Sequence, residues 1–391
     1  MNSGHPPTVG APEQNSSSDT PDSLTHADRA RRVLIYGMNY APEQTGVGRY
    51  TGEIGEFLAS QGIAVEVVTA PPHYPGWKIR GEFGNRYSVE RKSTIRITRC
   101  PLFLKKQIRG IARALVPLSF AIASAPVAIW RILRVRPHVV LCIEPTILSA
   151  PIGLLAAKLI GARTVLHVQD LELDAAFAVG HLKGSSLNAL GQWFERKILK
   201  AFDHVITISK AMHGKLMQKD VPVENLSIVR NWVDVTKIRP LSGPNRYRQE
   251  LAIPEDAFIV QYAGNVGAKQ ALDVVIDAAE KLKHIGRLIF VIAGDGPEKE
   301  RLQERSAQLP NIRFLGVQPE ERLCEFLNLA DAHVLPQDAG AADLVLPSKI
   351  GGMLASGKPC IVTATPGTEL WEFIHRAAIL SPAGDAEALA Q

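Results

Sequence analysis

Cysteine is scarce in this 391-residue chain, with four thiols at Cys100, Cys142, Cys324 and Cys360. They form no C-x-x-C pair and no histidine lies at zinc-ligand spacing from them, so neither a disulfide framework nor a zinc site is indicated. They read as reduced core thiols of a cytosolic protein. The dinucleotide fingerprint G-x-G-x-x-G is missing as well. Gly46 and Gly48 are followed by Thr51 where the third glycine belongs, which counts against an NAD dehydrogenase. Aromatics are 6% of residues and do not interleave with basic ones. With no recognition helix either, a nucleic-acid-binding role is disfavoured. No long apolar run opens the chain. Residues 1–30 are rich in Ser, Pro, Asp, Thr and Asn, a composition that excludes a secretory signal and predicts a disordered tail.

What is present is uneven charge. Arg31–Pro240 carries 29 lysines and arginines against 15 carboxylates, whereas Leu241–Gln391 carries 14 against 20. A basic half beside an acidic half fits two domains and gives the first an anionic partner: nucleic acid, a phosphate-bearing substrate or an anionic membrane. Short apolar runs alternate with helix-length stretches throughout. The first half has Val33–Tyr36, Val65–Val68, Val139–Ile143, Thr164–Val168 and Val205–Ile208, and the second has Phe258–Tyr262, Leu288–Ile292, Ile312–Phe314, Ala332–Leu335 and Cys360–Val362. Such runs are expected of parallel strands covered on both faces, and their repetition predicts doubly wound α/β sheets. The Pro- and Gly-dense stretch Arg239–Asn245 reads as a linker. The predicted units are therefore 31–238 and 239–391, two Rossmann-like domains facing each other across a cleft.

Ligands of such sheets sit beyond the carboxyl ends of the strands, and the candidate residues fall there. Gly46 and Gly48 enter the first helix, either as a tight turn or as a seat for a phosphate on the helix dipole. In Tyr262-Ala-Gly264-Asn265-Val-Gly-Ala-Lys269 the glycines allow close backbone approach to a pyrophosphate, and Lys269 supplies a point charge. A turn at Gly294-Asp295-Gly296 and a second cation, Lys349 in Pro347-Ser348-Lys349, follow at neighbouring strand ends.

The order of Gly264-Asn265…Lys269, Gly294-Asp295-Gly296, Pro347-Ser348-Lys349, Ala355-Ser-Gly-Lys-Pro359 and Pro366-Gly-Thr-Glu369-Leu370 resembles that of family 4 glycosyltransferases. With Tyr36–Glu43, Thr69–Pro75 and Arg230–Asp234, the chain is similar to the colanic-acid-type branch over nearly everything after residue 31. The resemblance implies a GT-B fold and a retaining transfer from a nucleoside-diphosphate-sugar co-substrate, with no metal and no other cofactor. It makes Lys269 a diphosphate lysine and Gly46 and Gly48 the first-domain glycine loop. It places His167 and neighbouring Asp170 beside the donor sugar, although His167 also suits a satisfied core histidine. Two departures stand out. The usual arginine of the phosphate loop is Asn265, leaving Lys349 to supply its charge. The second glutamate of the E-x7-E pair falls at Gly352, leaving Asp343 or Glu369 to hold the ribose, unless Glu369 only caps a helix. Ser348, Gly294 and Asp295 complete the expected donor site.

The resemblance further implies a polyprenyl-diphosphate-linked saccharide as acceptor, in exopolysaccharide biosynthesis, with fucose from GDP-fucose as one candidate donor. It also suggests that the chain stops short of a longer final helix. A sugar-nucleotide epimerase and a non-catalytic GT-B scaffold are the rival readings. Finally, Lys105, Lys106, Arg109 and Arg113 precede the uncharged run Ala114–Trp130. Broken by Pro117 and Pro126, this run predicts either a surface helix dipping into an anionic bilayer, on the cytoplasmic face of the membrane, or a buried domain helix.

Overall fold

A computed structural model of the chain describes residues 31–43, 46–74, 76–104, 112–145, 147–171, 185–338 and 346–391. The expected tail, Lys105, Lys106, Arg109 and Asp343 lie outside these residues.

The first sheet contains β1 (Arg32–Tyr36), β2 (Ala64–Thr69), β3 (Ser88–Lys92), β4 (Ile95–Arg99), β5 (Val139–Glu144), β6 (Arg163–Val168), β7 (His204–Thr207) and β8 (Leu226–Ile228). Their spatial order is β3-β4-β2-β1-β5-β6-β7-β8, parallel except for β3 against β4. The second sheet contains β9 (Phe258–Ala263), β10 (Leu288–Ala293), β11 (Ile312–Leu315), β12 (Ala332–Leu335), β13 (Cys360–Thr363) and β14 (Ile379–Ser381). It is parallel, in the order β11-β10-β9-β12-β13-β14. In each sheet the first strand has neighbours leading away in opposite directions. That reversal opens a crevice at its carboxyl end, where ligands of doubly wound sheets bind.

Burial explains why these runs are continuous rather than alternating. Along β1, Leu34 and Tyr36 join one core cluster while Val33 and Ile35 join the cluster on the opposite face. Fully burying an aliphatic or aromatic side chain contributes about 1.5–3 kcal/mol, and both faces of the strand gain it. Tyr36 keeps its polar end satisfied through a 2.7 Å hydrogen bond between its hydroxyl and Ser124.

Ser124 belongs to the helix Ala112–Val135, which runs unbroken through Pro117 and Pro126. The expectation that the prolines interrupt it is therefore corrected. Packing of Val116, Phe120, Ala128 and Ile132 into the core, together with the Arg131–Glu66 ion pair, holds the helix against the cost of two missing amide donors. Arg113 lies in its first turn. Among the described residues it is the one helix long and apolar enough to cross a membrane, yet close to half of that span is buried in the protein.

The linker is pinned to the second domain rather than free. Leu241 donates its amide to Asn328 Oδ1 at 2.8 Å, and Asn328 Nδ2 donates to the Arg239 carbonyl at 2.9 Å.

Candidate functional site

The loops after β9 and β10 touch through bare backbone. Gly264 donates its amide to the Ala293 carbonyl, and Val266 donates to the Asp295 carbonyl, each at 2.9 Å. A Cβ on Gly294 would fall 1.8 Å from the Gly264 carbonyl oxygen, and one on Gly296 would fall 2.2 Å from that of Val266. Gly294 also has φ +141°, which side chains rarely adopt. Gly294 and Asp295 thus build the wall behind the first loop. The Asp295 carboxylate is taken up locally, accepting from the Gly296 amide at 3.0 Å. Asn265 is exposed and its side-chain amide reaches Gln270 Oε1 at 3.3 Å.

Lys349 lies across this loop. It opens the helix Lys349–Ala355, directly after the exposed Ser348. A Cβ on Gly264 would sit 2.8 Å from its Nζ, so the missing side chain is what admits the lysine. Nζ donates to the Tyr262 hydroxyl at 2.7 Å and stands 4.3 Å from the centre of that ring, and Tyr262 in turn donates to the Asn265 carbonyl at 2.5 Å. Among the described residues no carboxylate lies within ion-pair distance of it. Burial without an anionic partner lowers its pKa to about 8. Such a cation, beside backbone glycines at a strand switch point, is arranged to receive an anion. Gly352, where the family pattern has a glutamate, faces Leu327 and contributes no polar group.

Lys269 is exposed in the short helical turn Ala268–Gln270. Its charge reaches Asp170 of the other domain. Desolvation raises the Asp170 pKa, while the Leu171 amide and Lys269 pull it down. The two therefore lie within electrostatic range of each other. Next to Asp170, His167 is 2% exposed, and burial lowers its pKa to about 4. It is neutral, and its Nε2 is buried without a hydrogen-bond partner among the described residues. That distinguishes it from a satisfied core histidine.

Gly46, Gly48 and Glu369, also predicted for the donor site, make contacts within the protein. Gly48 is buried against Glu43, whose Oε2 would lie 2.2 Å from an added Cβ. A carboxylate therefore stands beside the N-terminal end of the helix Gly46–Ser60, which favours negative charge there. Gly46, at φ +64°, starts that helix beneath the Tyr74 ring. Glu369 is likewise committed. Its oxygens accept from the amides of Lys210 and Ala211, each at 2.8 Å, and from Arg230 at 3.2 Å. Its side chain is 7% exposed, and it acts as a cap across the domain interface, the alternative its sequence position also allowed. It fastens the second domain to the helix Lys210–Gln218 of the first.

Sequence reasoning missed Tyr262 as part of the site, although it had a signal, a tyrosine ending a strand immediately before the glycine loop. Glu43 and His73 lie in two segments that carry the family resemblance, but only the fold brings those loops, thirty residues apart in sequence, into contact.

Residues 45–232 match the glycosyl transferase 4-like domain family, and residues 257–391 match the glycosyl transferases group 1 family. The chain is 40% identical over 351 residues to WcaI of Escherichia coli K12, assigned as a colanic acid biosynthesis glycosyl transferase; the match covers 87% of this chain and 84% of that one. Among solved structures, sucrose-phosphate synthase from Thermosynechococcus elongatus superposes with a TM-score of 0.66 at 17% identity, over 92% and 88% of the two chains. HepE of Anabaena, solved in complex with UDP-glucose, gives 0.62 at 14% identity over 92% and 87%. These structures share the GT-B fold.

The contact between the two glycine loops carries a testable consequence. Gly294→Ala should lower the stability of the second domain by about 3 kcal/mol or more, since it combines a forbidden φ with a backbone clash. Thermal unfolding should show the loss, and an unchanged melting temperature would mean that the loops are not held at this distance.

Proposed function

The chain belongs to the family 4 glycosyltransferases, and we propose that it transfers a sugar, with retention at the anomeric carbon, from a nucleoside-diphosphate donor to a lipid-linked saccharide in exopolysaccharide biosynthesis. The observation that carries the donor assignment is Lys349, half-buried against the Gly264 backbone with no acid beside it among the described residues. Together with Lys269 it supplies positive charge to a diphosphate leaving group. Charge placed where charge develops stabilises the transition state without reorganisation, so the protein cations take the role that a metal plays elsewhere. Neutral His167 then serves as a hydrogen-bond partner of the donor sugar, with Asp170 at the same strand end. HepE, with its bound UDP-glucose, and WcaI, with its biosynthetic assignment, support the nucleotide-sugar and exopolysaccharide parts of this reading.

A screen of nucleotide sugars, GDP-fucose included, should identify one donor that binds and turns over. Removing one charge-assisted contact costs roughly 1.5–3 kcal/mol. Lys269→Ala and Lys349→Ala should therefore each weaken nucleoside-diphosphate binding by about 10- to 150-fold, measured by calorimetry. An α-linked donor should give an α-linked product by NMR. Unchanged affinity in both variants would remove the donor assignment, and an epimerised donor would favour the rival enzymatic reading.

The same proposal places the protein peripherally on the cytoplasmic face of an anionic membrane. The outer side of the helix Ala112–Val135 exposes Leu115, Leu118, Ile122, Ile129, Trp130 and Leu133, an apolar stripe at helical spacing. The neighbouring helix Ala150–Leu159 adds exposed Leu155 and Leu159. Basic residues bracket the stripe in sequence, Lys105, Lys106, Arg109 and Arg113 before it and Arg134 and Arg136 after it. Partial insertion of such a face, with about 1 kcal/mol from each basic residue near an anionic leaflet, suffices for reversible binding. In co-sedimentation with vesicles containing phosphatidylserine or phosphatidylglycerol, the protein should pellet at low salt and be released as salt rises. Ile122→Glu combined with Trp130→Glu should abolish pelleting. Protein that stays in the supernatant at low salt would refute the membrane placement.

A further inference from the structure

Outside the donor site, a closed polar unit joins the loops after β1 and β2. Glu43 is 3% exposed, and each of its oxygens is engaged. Oε1 accepts from the amides of His73 at 3.0 Å and Tyr74 at 3.1 Å, while Oε2 accepts from Asn39 Nδ2 at 2.9 Å. Gly48 is the position that leaves room for this carboxylate. Arg99 braces the unit from beneath, donating to the carbonyls of Ala41 at 2.8 Å and Ala70 at 3.1 Å. A buried carboxylate with this many donors is a fixed part of the fold.

Its effect falls on His73, which is 1% exposed. His73 Nδ1 lies 2.9 Å from the Pro71 carbonyl oxygen and 3.5 Å from Glu43 Oε1. Both are acceptors, so they favour the tautomer with the proton on Nδ1 and the lone pair on Nε2. That Nε2 is buried with no hydrogen-bond partner. Native proteins seldom leave such an atom unpaired unless it awaits a ligand or water. The surroundings suit one ligand class. The Tyr74 and Trp77 rings meet edge to face at 6.2 Å, and Trp77 lies 6.0 Å from His73. Tyr74 is exposed and rests against Gly46 at the entry to the first helix. That entry follows β1, where the strand order of the first sheet reverses and a crevice opens. Aromatic faces beside a single oriented acceptor atom are the groups that grip a pyranose ring and one of its hydroxyls.

We propose that His73 binds a hydroxyl of the acceptor saccharide through Nε2, with the Pro71 carbonyl setting its tautomer and Glu43 as the positioning residue that holds its backbone. The inference rests on the glycosyl-transfer reading and gives that reading an acceptor subsite on the first-domain wall.

Long-range nitrogen–proton NMR on the whole chain, with His73 assigned by comparison with His73→Gln, tests it directly. The probes are octyl glycosides carrying glucose, galactose, mannose or fucose. His73 should show the Nδ1–H tautomer, and at least one glycoside should shift its Nε2 resonance. In transfer assays with that glycoside, His73→Leu should raise its KM about 10-fold or more with a smaller change in kcat, and His73→Gln, which keeps a polar group there, should recover part of the loss. An Nε2–H tautomer, or no shift with any of the four glycosides, would overturn the subsite. Nucleotide-sugar binding measured on the same sample separates the two levels. If it persists while the glycosides leave His73 unmoved, only the acceptor subsite is lost; if it is absent, the glycosyl-transfer reading fails first.

Discussion

The contact on which the donor site depends is backbone against backbone, where the loops leaving β9 and β10 meet. No side chain fits at Gly294 or Gly296 without striking the carbonyls of Gly264 or Val266. The closeness has a chemical return. With no Cβ at Gly264, the Lys349 ammonium can lie over the loop, anchored to Tyr262, at the carboxyl end of the central strand of the sheet. A lysine held there by a tyrosine and an exposed backbone, rather than by a carboxylate, keeps its charge unspent for a ligand.

The second domain does not act alone. Glu369 spans the interface to cap the helix Lys210–Gln218 and to pair with Arg230. Lys269 of the second domain lies within electrostatic range of Asp170 of the first. On the function proposed above, His167 would then serve a sugar whose diphosphate lies in the other half. The first-domain glycine loop has a separate task. It encloses Glu43, and through it orders the residues around His73.

Much of this was legible in the sequence where a physical signal is local. Parallel strands buried on both faces announce themselves as apolar runs, so β1, β5, β9 and β10 could be read directly. The strand β3, Ser-Val-Glu-Arg-Lys, could not: it is an antiparallel edge with mostly exposed side chains, and β8 and β14 are three residues each. The glycine loops and both lysines were visible as motifs because a phosphate seat needs bare backbone and nearby charge. Which helix Glu369 caps, and which carboxylate Gly48 makes room for, were not readable. The partner of Glu369 is a helix terminus some 160 residues away, on the order of half the chain, and Gly48 answers to a carboxylate whose position depends on the turn after β1.

The account stands or falls on Lys349 meeting the donor diphosphate as a cation. In the free protein burial holds its pKa at about 8, and a bound diphosphate would raise it. Binding above that pH must therefore take up a proton, and one linked proton weakens affinity by up to about 10-fold per pH unit. The diphosphate of a nucleotide sugar keeps a constant charge over this range. Its dissociation constant, measured by calorimetry from pH 7 to about 9.5, should be level at first and then rise past pH 8 in the wild-type protein. In Lys349→Arg, whose charge does not titrate there, it should stay level. A flat profile for the wild type, or the same rise in the arginine variant, would contradict the assignment.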